Sequence, residues 1–294
     1  MLNLRLALVS LTAVLFGSAC SINVNAEPFV ATDQKSFSVT GTPEVSLKTF
    51  DGSIEVTAWD KPEVGLTIER RAGSQAEADA LVVNTSQDGN RIVVEAVQPE
   101  RDKQVGFHIG QGRSVRFVVS VPKQTDLVAR SGDGSIAATG VQGRVELRSG
   151  DGSVRGADLD GDIIVHTGDG SIALDNTAGR LDLSTGDGSV RVQGAPTLVK
   201  AHTGDGSVAL DVTAGASIGE DWEITTGDGG VRLSLPPTIN AELDASTGDG
   251  SISAGDFGLE TTADARHELR GRIGDGGPLL KVRTGDGSIT VAKN

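Results

Sequence analysis

Residues 131–190 read SGDGSIAATG VQGRVELRSG DGSVRGADLD GDIIVHTGDG SIALDNTAGR LDLSTGDGSV. The hexad that opens at Ser131 returns at Ser149, Thr167, Thr185 and Thr203, each 18 residues after the last. It returns again at Thr226, Thr247 and Thr284, after gaps of 23, 21 and 37 residues. Degenerate copies stand at Thr49–Ile54, at Ile273–Pro278 and, more weakly, at Gln87–Asn90. Self-similarity at a fixed spacing marks a repeat architecture.

Inside the unit the apolar residues alternate. Ile136 and Ala138, Ile172 and Leu174, Val190 and Val192 follow the Gly-Asp-Gly turn. A second turn, at Gly143, Gly161, Gly179 and Gly215, leads into a second alternating pair such as Val145 and Leu147 or Leu181 and Leu183. A period of two is that of half-buried strands. Two such short strands cannot bury their apolar edge alone, whereas stacked units pair every backbone group with the rungs above and below. The expected fold is all-β: a single-domain parallel β-helix, or β-solenoid, with coils of about 18 residues. Roughly twelve rungs between Asp51 and Asp286, at about 4.8 Å each, would make a rod of about 55 to 60 Å. The rival is an antiparallel meander of hairpins.

Turn chemistry is expected to divide between glycines that accept positive φ and an Asp whose carboxylate bonds a nearby backbone N–H. The Ser or Thr before each Gly-Asp-Gly shares the parity of the inward residues, so its hydroxyl should form a ladder bonded to turn backbone.

Composition fits a solenoid better than a globule with a thick centre. The 294 residues include 40 glycines, no tyrosine and 3% aromatics, so the interior must be built from Val, Ile, Leu and Ala. Lys and Arg number 26 against 40 acids, a net charge of −14 that repels nucleic acid and anionic headgroups. Residues 1–26 carry one Arg, an apolar run from Leu6 to Phe16 and then small residues, the plan of an export signal and too short to span a bilayer. Cleavage before Cys20 would give a lipid-anchored protein; cleavage after Ala26, at a small-x-small site, would release a chain starting at Glu27. Cys20 is the only cysteine, so no disulfide can stabilise the exported chain. The organisation expected is an export signal over 1–26, irregular broad rungs over 27–125, and regular repeats over 126–294 with an insertion at 256–272. Five of the seven phenylalanines and Trp59 fall in the broad rungs, where they would fill a wider interior or cap its open end.

Several motifs, in order, resemble the bacterial putative-adhesin family of β-strand-repeat proteins, a domain of unknown function. They are the opening Val45-x-Leu47-x-Thr49-x-Asp51-Gly52-Ser53-Ile54 with Trp59-Asp60-Lys61-Pro62, the Val121-Pro122-Lys123-x-Thr125 before the repeats, the reiterated Thr-Gly-Asp-Gly-Ser-Ile, and Gly271 to Leu280 at the close. The resemblance covers nearly the whole exported chain. It implies a right-handed β-helix in the cell envelope, and it implies no catalytic residues.

The remaining chemistry lies in columns. Asp133, Asp151, Asp169, Asp187 and Asp205 would stack at rung spacing, where neighbouring carboxylates repel. Carboxylates turned back onto backbone N–H groups are the simplest relief. Ca²⁺ lodged between rungs is the sharper one, although each turn offers only one carboxylate. Asp264, Arg266, His267, Glu268 and Arg270 are the only clustered candidates for a polysaccharide-cleaving site, and their spacing matches no nucleophile or metal motif. His166 and His202 fall two rungs apart, about 9.6 Å, too far to share a metal. The reading is therefore a non-enzymatic, monomeric envelope rod, an adhesin or a structural or binding element, as an outer-membrane lipoprotein or a periplasmic or cell-surface protein. The alternatives are a carbohydrate-active β-helix lyase or hydrolase and a calcium-stabilised sensing or scaffold module. The rod would require no cofactor, and its partner would be an envelope protein or polysaccharide.

Overall fold

The computed structural model describes residues 28–97, 112–255, 257, 260–265 and 267–294. The expected export signal with Cys20, both expected cleavage sites and Arg266 lie outside the described residues.

The chain runs through β1 (Phe29–Ser38), β2 (Glu44–Thr49), β3 (Ile54–Trp59), β4 (Glu63–Ala72), the short helix α1 (Gln75–Asp79), β5 (Val83–Asp88), β6 (Arg91–Ala96) and β7 (Ser114–Pro122). The repeats supply β8 (Asp126–Ser131), β9 (Ile136–Thr139), β10 (Gln142–Ser149), β11 (Val154–Ala157), β12 (Asp160–Thr167), β13 (Ile172–Thr185), β14 (Val190–Thr203) and β15 (Val208–Val212). The last third adds β16 (Trp222–Thr226), β17 (Val231–Leu235), β18 (Ala241–Thr247), β19 (Ile252–Ala254), β20 (Glu260–Ala265), β21 (Glu268–Ile273), β22 (Leu279–Thr284) and β23 (Ile289–Lys293).

These strands form an all-β, solenoid-like fold made of two parallel ladders. One runs β6–β2–β8–β10–β12–β13–β14–β16–β22–β18. The other runs β7–β3–β9–β11–β13–β14–β15–β17–β23–β19. β13 and β14 are long enough to round a corner and serve both. In the regular part Leu127, Val145, Ile163, Leu181 and Val199 lie opposite one another in the first ladder. Ile136, Val154, Ile172, Val190 and Val208 do so in the second.

The alternation expected from the sequence decides which residues face inward. β12 and β13 show buried Ile163, Val165, Leu181 and Leu183 alternating with half-buried or exposed neighbours, polar except for Ile164. The inward columns of both ladders join in one core, each fully buried Val, Leu or Ile contributing about 1.5–3 kcal/mol. Gly156 leaves a gap in its column that Leu159 and Leu174 fill: a Cβ there would stand 2.7 Å from a methyl of each.

The ends depart from the sequential stack that the repeat implies. β2 lies between β6 and β8, so Lys48 faces Glu95 on one side and Arg130 on the other. At the far end β22 and β23, the last strands, slide between β16/β17 and β18/β19. Charge gives a physical reason there. Asp182, Lys200, Glu223, Lys281 and Asp244 stand in that order along one outward column, alternating in sign. Stacking β18 directly on β16 would instead set Asp244 against Glu223, and like charges directly opposite are destabilising.

Two degenerate copies are not corners of the stack. Gln87–Asn90 is the tight turn of the antiparallel β5–β6 hairpin. Ile273–Pro278 links β21, which is antiparallel to β18, to β22. The copy at Thr49 does stack, with Thr49 opposite Ser131. In the region of the expected insertion at 256–272, β21 pairs antiparallel with the outer edge of β18, and β20 pairs antiparallel with β21. Of the early aromatics, Phe37 and Phe50 are partly buried against the core and Trp59 is half-buried. Phe117 is buried among the early rungs, but the largest buried side chain is Trp222, far along the stack, with its Nε1 donating to Thr197 O at 3.2 Å.

Candidate binding surface

The corner built by Gly-Asp-Gly is held from within by hydroxyls. Thr185 Oγ1 donates toward Gly170 O at 2.9 Å and Gly168 O at 3.2 Å, and accepts from Gly188 N at 3.3 Å. Thr203, Thr226, Thr247 and Thr284 repeat the arrangement, each beneath its own corner. The expected hydroxyl ladder is present. Beside it a chain of backbone bonds runs from first glycine to first glycine: Gly150, Gly168 and Gly186 each donate to the previous corner at 2.5 Å.

Two expectations about this corner need correction. Its glycines are required by proximity and not by positive φ, which none of Gly150, Gly152, Gly168 and Gly170 adopts. A Cβ on Gly170 would stand 2.2 Å from Gly152 O, because successive corners lie flat against each other. Positive φ belongs to the second turn, where Gly143, Gly161 and Gly179 sit at 129°, 126° and 91°. Nor does the Asp carboxylate close the turn. The Ser or Thr hydroxyl, buried and three residues upstream, already takes the glycine N–H, leaving Asp no role inside the corner. Asp133, Asp151, Asp169, Asp187 and Asp205 are exposed, and water screens their mutual repulsion. Asp51 is more enclosed: burial, reinforced by the charge of Asp133, raises its pKa.

Among the described residues no three His, Cys, Asp or Glu side chains gather where they could hold a metal ion. The register sets His166, Ser184 and His202 in one column, and His202 Nδ1 lies 2.8 Å from Thr225 Oγ1. In the late hairpin Arg270 pairs with Glu268 on its own strand and with Asp244 across on β18, so those charges are spent on one another.

Three features of the outer surface stand out. The first is a trough over the second turn, where Gly143, Gly161 and Gly179 leave an open hollow of ≈480 Å³ walled by Asp126, Arg144, Asp162 and Arg180. The second is the alternating column on the first ladder. Lys281 Nζ reaches Glu223 Oε1 at 2.7 Å, and Arg283 Nη2 reaches Asp244 Oδ2 at 2.7 Å. The Lys281 hydrogen bond and charge lower the pKa of Glu223; the Arg283 hydrogen bond does the same for Asp244, outweighing burial.

The third feature lies on the second ladder, where Arg155, Ala173, Arg191, Ala209 and Arg232 succeed one another rung by rung. The sequence shows Arg155 and Arg191 as outward residues but not their row, because the signal is a period of two units laid over the unit itself.

A family model matches residues 42–292, nearly the whole of both ladders. The chain belongs to the Toastrack DUF4097 family. This agrees with the resemblance to a domain of unknown function carried by the terminal motifs. No curated protein matches this Toastrack chain. Three solved structures are similar to it at low identity. A putative cell adhesion protein from Clostridium sporogenes is 11% identical, with 91% of this chain and 100% of that one covered and a TM-score of 0.30. A putative adhesin from Bacteroides fragilis is 12% identical over 89% and 97%, with a TM-score of 0.41. A putative lipid binding protein from Parabacteroides distasonis is 17% identical over 88% and 96%, with a TM-score of 0.39. Among the described residues of the Toastrack chain no helix is long and apolar enough to cross a membrane.

Proposed function

We propose that this protein is a non-enzymatic, adhesin-like binding rod of the bacterial cell envelope. In this reading the two ladders are the opposite sides of one right-handed parallel β-helix with 18-residue coils, exported by residues 1–26. It is anchored by acylated Cys20 at the outer membrane, or free in the periplasm or at the cell surface. Residues 27–125 and 126–294 form one solenoid, which works as a monomer.

The observation that carries the proposal is the columnar surface. Register repeats each outward position from rung to rung, so the same side-chain chemistry recurs along a rigid face, an arrangement suited to weak contacts multiplied by number. The corner carboxylates are solvated and need no cation; melting in chelator should match melting in Ca²⁺. The proposal is tested by saturable binding of the labelled full chain to isolated bacterial envelopes and their separated polysaccharides. Binding to neither, or release of sugar fragments by the chain, overturns it.

A further inference from the structure

We infer that the row Arg155–Arg191–Arg232 is a binding track for an extended acidic polysaccharide that carries one carboxylate per disaccharide. The inference rests on the envelope-binding reading and names its ligand class and its face.

The three arginines occupy one outward position of the second ladder on alternate rungs, with Ala173 and Ala209 between them. Rungs are about 4.8 Å apart, so the guanidiniums recur about every 9.6 Å. All three are exposed, and among the described residues none has an ion-pair or hydrogen-bond partner, in a chain with 40 acids to 26 bases where Arg116, Arg130, Arg180, Arg270, Lys281 and Arg283 are all paired. Acids are at hand but held off. Asp175 and Asp211 lie one rung away and two residues along the strand, diagonal to their arginine neighbours. The result is a checkerboard of unmatched cations and hydroxyl-accepting carboxylates, with alanine steps where a ring can approach the sheet.

A column of serines borders the row. Ser189 Oγ and Ser207 Oγ stand 3.3 Å apart, and Ser153 and Ser171 occupy the rungs before them, offering hydroxyls to sugar hydroxyls. Beyond the serines run the corner aspartates, which repel an anionic chain from the edge and keep it on the face. The spacing matches a disaccharide of an extended β-linked glycan. A polymer charged at every residue would present surplus anions to an acidic protein. The row also lacks the aromatic platforms on which nucleic-acid bases stack.

The test measures binding of the full chain to hyaluronan oligosaccharides long enough to cover the row. Polygalacturonate, cello-oligosaccharide and single-stranded DNA are run beside them at several salt concentrations. Saturable, salt-sensitive hyaluronan binding is expected, weakened roughly tenfold or more in the R155Q/R191Q/R232Q variant and unchanged in K48Q/R91Q, two exposed cations of the other ladder. Unfolding midpoints of the triple variant should match the parent, since the three side chains support nothing.

Absent hyaluronan binding, binding that survives the triple change, or equal binding of any comparator overturns the inference. Binding to whole envelopes is read in parallel. If it persists in the triple variant while the hyaluronan arm fails, the track falls and the envelope-binding reading stands; if the parent binds no envelope material, that reading falls as well.

Discussion

The middle of the stack and its C-terminal end are built from the same corner yet follow different rules. Between Leu127 and Val199 each strand pairs with the next unit along the chain. At the end Thr284 stands between Thr226 and Thr247, so its partners lie 58 residues before it on one side and 37 on the other. Backbone geometry is common to both, since Gly285 and Gly248 carry on the same glycine-to-glycine bonds at 2.6 Å. What differs is how neighbours are chosen: by chain proximity in the middle, by side-chain charge at the end. A repeat fixes what a rung looks like without fixing which rung lies beside it.

The largest expected effect strikes the middle. Gly170→Ala drives a Cβ to within 2.2 Å of Gly152 O, with rungs packed on both sides, and should cost about 3 kcal/mol in denaturant unfolding. Gly250→Ala meets Gly287 O as closely, but its rung is the last and can shift outward, so its cost should be clearly smaller; equal costs would erase the distinction. Next comes Thr185→Val, which strands the Gly188 N–H and removes the bonds to Gly168 O and Gly170 O, at about 2 kcal/mol.

Lys281→Glu tests the end directly. It places a third acid between Glu223 and Asp244 and should cost about 1 kcal/mol, with faster amide exchange confined to β22 and β18; uniform exchange would refute charge as the selector. Acid should act at the same place. Glu223 and Asp244 have folded pKa values below their unfolded ones, so their contribution is complete above the ordinary carboxylate range and is lost as pH falls through the depressed folded values. Protection of β22 should therefore fail on acidification before that of β12.

The smallest expected effect is a gain. Thr177 Oγ1 is buried without a partner, in a place equivalent to Leu159 and Val141, so Thr177→Val should stabilise the middle by about 1 kcal/mol; a loss would reveal an unseen partner for the hydroxyl.

The sequence made the rung legible because inward parity and corner chemistry are local. Ile163, Val165 and Thr167 announce their burial within a handful of residues, and the hydroxyl ladder follows from the same parity. Neighbour choice at the ends was not legible, since Lys281 lies 58 residues from Glu223 and no periodicity joins them. The role of the corner glycines was misread because Gly-Asp-Gly looks like a turn demanding positive φ, whereas what forbids a side chain is the carbonyl of another rung. The Arg155–Arg191–Arg232 row needed the register before its alternation with alanine could be seen. Trp222 stands outside the early aromatic cluster, so nothing nearby marked it as the bulkiest buried residue.

The strands that close the ladders have one more consequence. A parallel stack offers the same hydrogen-bonding pattern at top and bottom, so bare ends would let molecules join head to tail into a fibre. Here β5 covers β6, β4 covers β7 and β21 covers β18, each in reversed direction, while β1 outside β4 and β20 outside β21 turn back to the direction of the ladder. Among the described residues β19, three residues long, is the ladder end without a covering strand. A reversed strand laid directly against a ladder end breaks the parallel register that a second molecule would have to continue, which works against head-to-tail polymerisation of a self-templating architecture.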